Sequence, residues 1–215
     1  MRHLVVTKAI NTIYLETLFQ SYILPLFNPQ TVIYNGGIAN IKEWKISCYL
    51  EVMEGGIPCT NPNIELKEYC EPLLDSCNDL FTAWYKQQHA CNSKSSYNEN
   101  KTINVTRLMT FITRYTPAPG EQSLLKHVDG AGKVDGSVVV ALPIDRWSKP
   151  EEDNSFVGFG GGLTFWDGRG DTGRPKEIHY DTRCGDVAFI DKAVWHQGRL
   201  AKYIHLCLTR YCFLT

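Results

Sequence analysis

"RLMTFITRY", residues 107–115, is the first of six stretches of one kind, and together they decide the fold class. It is short, rich in β-branched and aromatic residues, and has no helical spacing. The others are "SVVVALPI" (137–144), "GLTFWD" (162–167), "EIHYDT" (177–182), "DVAFID" (186–191) and "KYIHLCLTRYCF" (202–213). Glycine or proline punctuates them, and no long helical pattern intervenes. Many short strands in succession point to an antiparallel sandwich or barrel.

Upstream the character differs. In residues 1–27, Ile10, Tyr14, Leu15, Leu18, Phe19, Tyr22 and Ile23 repeat at helical steps, which predicts a packed amphipathic helix. Between 64 and 85, Leu66, Tyr69, Cys70, Leu73, Leu74, Cys77, Leu80, Phe81, Trp84 and Tyr85 do the same. Pro72 is expected to divide this run into a short helix and a longer one, because proline suits a first turn and not an interior. Residues 92–104, "NSKSSYNENKTIN", are polar and turn-rich, an expected exposed loop. The expected architecture is therefore mainly β with supporting helices (α+β). A helical N-terminal portion, residues 1–105, packs on a β core, residues 106–215, in one compact domain.

Within the β half stands "LLKHVDGAG", residues 124–132. In an extended strand His127 and Asp129 share a face. The chain has six histidines, and His196 closes the apolar segment "GDVAFIDKAVW", a good place to present a side chain into a barrel mouth. Two histidines and a carboxylate on one face of an ion, with the other positions open, form the facial triad of non-haem Fe(II) oxygenases. Taken alone, H-x-D reads better as a hydrogen-bonded pair at a strand end.

The order of motifs goes further. "FITRYTPAPGEQSLLKHVDGAG", then "SVVVALPID", "FGGGLTFWD", "GDVAFIDKAVWHQG" and a terminal strand with basic residues resembles the Fe(II)/2-oxoglutarate-dependent dioxygenases, closest to their prolyl and lysyl hydroxylase branch. The resemblance spans the last 110 residues or so. It implies a double-stranded β-helix (jelly-roll) core and iron held by His127, Asp129 and His196. It implies 2-oxoglutarate near Tyr115, O₂ as oxidant and ascorbate as a reductant. The implied reaction is hydroxylation of a peptidyl (prolyl- or lysyl-like) or small-molecule C–H bond, with release of succinate and CO₂.

Such an enzyme needs a cation for the far carboxylate of 2-oxoglutarate. The usual position in that branch falls on His205; a shortened hairpin gives Lys202, and other subfamilies' spacing gives Arg210. Positions 202, 204, 206, 208 and 210 share one strand face. That face is the more apolar one, as expected of a barrel interior, so parity favours Arg210 or Lys202 over His205. Trp166, Trp195 and Arg114 are candidates for the substrate mouth. Residues 145–162, long and glycine-rich, are a candidate lid.

Composition narrows the partners. Lys and Arg number 22 against 23 Asp and Glu, a formal charge of −1, so a polyanionic partner is not favoured. A base-modifying oxygenase acting on nucleic acid is accordingly the first rival reading, and an inactive jelly-roll binding module the second. No apolar run is long enough for a bilayer, and the interrupted N-terminus does not read as a secretory segment. With no such segment, the eight cysteines are expected to be reduced and mostly buried in a cytoplasmic or nuclear protein.

Overall fold

The protein is described by a computed structural model that covers residues 2–27, 38–42, 45–54, 57–58, 63–92, 105–115, 126–129, 134–143, 162–169, 174–198 and 205–214. Apart from residues 92 and 162, the expected loop at 92–104 and the candidate lid at 145–162 lie outside these residues, as does Lys202.

In chain order the elements are β1 (His3–Val6), α1 (Thr12–Leu18), β2 (Ile38–Lys42), β3 (Lys45–Glu54), β4 (Ile57–Pro58), α2 (Ile64–Asn92) and β5 (Val105–Tyr115). Then follow β6 (Gly136–Ala141), β7 (Leu163–Arg169), β8 (Pro175–Tyr180), β9 (Val187–Asp191), β10 (Trp195–Gly198) and β11 (His205–Leu214). Two sheets result. The larger has eight strands in the order β1-β9-β6-β11-β5-β3-β2, with β4 paired to β3; the smaller has the order β10-β7-β8. Every named strand pair is antiparallel.

The mainly β class with supporting helices stands, and strands of the N-terminal portion join the large sheet. The first 105 residues are more than a helical layer: β1, β2 and β3 build both flanks of the large sheet. The ten-residue β3 pairs along β5 from Lys45↔Tyr115 to Val52↔Met109. At the other edge β1 pairs β9 from His3↔Ile190 to Val6↔Val187.

The helices cover one face of that sheet. Asn11 caps α1, its side chain accepting from the amides of Ile13 and Tyr14. A short wide-turn helix (Phe19–Ile23) and a 3₁₀ turn (Leu24–Phe27) continue it. In α2 the buried residues Leu66, Cys70, Leu73, Leu74, Cys77, Phe81 and Trp84 recur at three- and four-residue steps. They pack with Cys48, Leu50, Ile112, Val138, Val140 and Phe189 of the sheet.

The expected break at Pro72 is absent; α2 runs through it. An interior proline costs roughly 3 kcal/mol. Each buried large apolar side chain returns about 1.5–3 kcal/mol, and the stripe continues in phase on both sides of Pro72, so packing outweighs the missing hydrogen bond.

A smaller apolar cluster, Phe165, Ala188, Ile190 and Val194, lies where the small sheet meets the large one. His3 fastens the two. Its ring is 1% exposed and stacks on Phe165 with centroids 4.4 Å apart, while Nδ1 lies 2.8 Å from Asp167 Oδ2 on β7. Gly162, just before β7, has φ +81°, and a Cβ there would sit 2.1 Å from the Tyr180 carbonyl oxygen. This is the member of the Gly160–Gly162 run within the described residues, and it does supply the backbone freedom needed to enter the strand.

Candidate metal centre

His127 and His196 are brought together by backbone. They form an isolated antiparallel bridge, His127 N–H donating to the His196 carbonyl at 2.9 Å and His196 N–H to the His127 carbonyl at 2.8 Å. β10 in turn pairs β7, with His196 opposite Phe165. The rings of His127 and His196 stand 4.4 Å apart. Asp129, two residues past the bridge, turns its carboxylate between them: Oδ1 is 3.5 Å from His127 Nε2, and Oδ2 is 3.5 Å from His196 Nε2.

The three residues offer ligand atoms all within 4.8 Å of one another, a metal-capable cluster among the described residues. Exposure tells where the site opens. The His127 side chain is 37% exposed, whereas Asp129 and His196 show 6% and 7%. Among the described residues of the cluster, His127 is therefore the one that meets solvent.

Tautomer and charge fit a cation. His196 Nδ1 lies 3.1 Å from the Val194 carbonyl oxygen, an obligate acceptor, so Nδ1 donates there and Nε2 is the ring nitrogen that faces Asp129 and would meet a cation. Burial alone would raise the Asp129 pKa, yet contacts from His127, His196 and Ser137 hold the carboxylate well below its ordinary range. An ionised carboxylate and two imidazole nitrogens a few ångströms apart are the donor set for a borderline divalent ion such as Fe(II). Ser137 on β6 is a contributor that sequence reading missed. Its hydroxyl, fully buried, donates to Asp129 Oδ2 at 2.5 Å.

The remaining candidates separate by strand register. Directly opposed residues in an antiparallel ladder share a sheet face. Position 210 pairs with Thr110 and Val138. The Thr110 hydroxyl donates to Glu51, which also binds Lys67 of α2, and Val138 belongs to the cluster under the helices. Position 211 pairs with Ser137, whose hydroxyl donates to Asp129. Position 205 falls on that odd-numbered face too, opposite Tyr115. By register, position 210 falls in the row of Thr110 and Val138, and position 205 in the row of position 211, which is opposite Ser137.

Trp166 and Trp195 are cross-strand partners, one residue away from Phe165 and His196. Alternation turns them to the opposite face of the small sheet, where Lys126 Nζ sits 4.1 Å from the Trp166 ring centre. They do not line the metal cleft. Arg114, opposite position 206 and Ile46, falls on the helix-side row.

No protein-family model matches the sequence, and no curated protein sequence matches it significantly. Solved structures do. A 2OG-Fe(II) oxygenase family oxidoreductase from Burkholderia pseudomallei superposes with a TM-score of 0.62 at 14% identity, covering 99% of this chain and 84% of that one. A Trichoplax adhaerens prolyl hydroxylase, in complex with a hypoxia inducible factor oxygen degradation domain peptide, gives 0.57 at 14% identity over 99% and 83%. OsALKBH1 gives 0.55 at 11% identity over 98% and 97%. The chain has the fold of the Fe(II)/2-oxoglutarate oxygenases. Likeness at such low identity is a statement about fold.

Proposed function

We propose that this protein is an Fe(II)- and 2-oxoglutarate-dependent dioxygenase, with a double-stranded β-helix core formed by its two sheets. Its reaction is hydroxylation of a C–H bond in a peptidyl, prolyl- or lysyl-like, or small-molecule substrate. The observation that carries this reading is the convergence of His127, Asp129 and His196, whose ligand atoms all lie within 4.8 Å of one another. His127 Nε2, Asp129 and His196 Nε2 would hold Fe(II). With 2-oxoglutarate bound, the ion supplies O₂ activation, succinate and CO₂ being the coproducts and ascorbate a reductant that keeps iron divalent.

The protein's own residues bind and orient. Val194 and the bridge with His127 fix the plane of the His196 ring, and the Asp129 charge is preset for a cation. The register of β11 favours His205, beside Tyr115, for the cosubstrate's far carboxylate over Arg210. Lys202 remains a third candidate. Peptide as the substrate class draws support from the peptide-bound Trichoplax structure.

The test is direct. Protein incubated with Fe(II), ascorbate and 2-oxoglutarate should release succinate, and candidate peptides should stimulate it. Absence of both uncoupled turnover and 2-oxoglutarate binding would leave an inactive binding module. The likeness to OsALKBH1 motivates a second reading, base modification in nucleic acid, against which the formal charge of −1 weighs. Stimulation by methylated oligonucleotides instead of peptides would favour it.

A further inference from the structure

Ser137 touches Asp129 on one oxygen only, and that asymmetry has a consequence for how many positions an ion at this site keeps open. The Ser137 hydroxyl is 0% exposed and 2.5 Å from Asp129 Oδ2, within the short range of a charge-assisted O–H···O⁻ bond. Oδ2 also faces His196 Nε2 at 3.5 Å, while Oδ1 faces His127 Nε2 at 3.5 Å. A hydroxyl proton on Oδ2 occupies one of its lone pairs and draws charge from that oxygen. Oδ1 is left as the better donor to a cation.

Ser137 is held by the sheet. It is the second residue of β6, paired with Ile190 on β9 and with position 211 on β11. With the residue fully buried, no solvent replaces its proton if the side chain is shortened.

We infer that Ser137 is a positioning residue that holds Asp129 to one-oxygen coordination through Oδ1. This rests on the metal reading of the site proposed above. An octahedral ion held by two imidazoles and one carboxylate oxygen keeps half of its positions open; if the carboxylate closes on it with both oxygens, only a third stay open. The serine thus guards one exchangeable position on the ion.

Mn(II) serves as the probe, added to the metal-free full-length protein without cosubstrate. At matched saturation, water-proton relaxation enhancement reads the number of exchangeable waters on the ion. Ser137→Ala should lower it by about one third, and Ser137→Thr, which keeps the hydroxyl, should retain the wild-type value. Equal enhancement in Ser137→Ala and wild type overturns the inference.

Wild-type protein carrying ¹³C-carboxylate aspartate gives a check that needs no variant to fold. In the Mn(II)-minus-apo infrared difference, the splitting of the perturbed carboxylate stretches should widen, as for one-oxygen binding; a narrowed splitting overturns the inference. Wild-type protein that binds no Mn(II), or binds it unchanged after His196→Ala, sinks the metal reading itself, an outcome distinct from either result with Ser137.

Discussion

His127 and His196 are paired as a two-bond antiparallel bridge, so the backbone that closes the small sheet also sets the separation of the two imidazoles. The bridge survives side-chain truncation because only main-chain atoms make it. Replacing either histidine with alanine should therefore leave the fold intact and remove a ligand. Loss of groups that merely support a ligand costs about 10–100-fold in metal affinity, and loss of a ligand itself should exceed that. Titration with Mn(II) or Co(II), alongside circular dichroism, checks it. Wild-type affinity in both variants would show that the cluster does not bind metal.

The His3–Asp167 contact ties the N-terminal strand to the small sheet, and it carries a pH signature. Burial acts to raise the Asp167 pKa, but hydrogen bonds from the His3 ring and the Arg2 amide win, and the net shift is downward. A depressed carboxylate contributes stability that is fully present above its unfolded pKa, near 3.9. That contribution is lost as pH falls through the lower folded value. Asp167→Asn should cost about 1–3 kcal/mol at pH 7, the range for a buried charge-assisted bond, and little at pH 2. Urea unfolding at the two pH values reads the difference. An equal loss at both would assign the cost to packing instead.

Cys48 and Cys70 face one another's layers beneath the helices. Burial pushes the Cys48 thiol up to about 11, and burial aided by Cys48 and Glu71 pushes Cys70 up to about 12. For a thiol, a raised folded pKa keeps the neutral form at ordinary pH. That stability is complete below the unfolded pKa, near 8.5, and drains away as pH rises toward the folded values. Iodoacetamide at pH 8 should leave both cysteines unmodified in native protein and label them promptly in urea, as mapped by peptide mass spectrometry. Rapid native labelling would contradict the burial of this face.

The helix–sheet layer supplies much of the fold's stability. Phe81 is fully buried and lies against Trp84, Tyr85 and Phe189. Phe81→Ala should destabilise by about 3–5 kcal/mol, measured by denaturant midpoint with unchanged slope. A loss under 1 kcal/mol would mean that α2 is not a core element.

What the sequence revealed follows from which signals are local. The triad was legible because H-x-D needs only strand periodicity, and His196 ends an apolar segment bounded by a Gly-Asp turn. Ser137 was not: a serine opening an apolar strand looks ordinary until folding carries it onto Asp129, eight positions earlier. The strand "KISCYLEVME" was absorbed into a helical half because its pairing partner, β5, lies some sixty residues away. Most instructive is β11. Apolarity alone points the cosubstrate cation to the even-numbered row, whereas register sets position 205 in the row opposite Ser137. The metal side of the same sheet carries hydroxyls, with Ser47 and Thr113 bonded at 2.9 Å and Ser137 on Asp129. A sheet covered on one face by helices and open to polar ligands on the other inverts that rule.

That inversion makes a prediction about the cosubstrate. Position 205 pairs with Tyr115 and shares its row with position 211, opposite Ser137, whereas position 210 pairs with Thr110 and Val138. His205→Ala should raise the 2-oxoglutarate concentration needed for half-maximal succinate release. A lost bond to a charged group is worth about 1.5–3 kcal/mol, or roughly 10–100-fold. Arg210→Ala should leave that requirement unchanged while lowering thermal stability, since its row belongs to the layer between sheet and helices. Isothermal titration of 2-oxoglutarate into the Mn(II)-loaded variants separates binding from turnover. If Arg210→Ala weakens binding and His205→Ala does not, the row assignment of β11 is wrong, and the cation must reach the site by some path other than the regular strand.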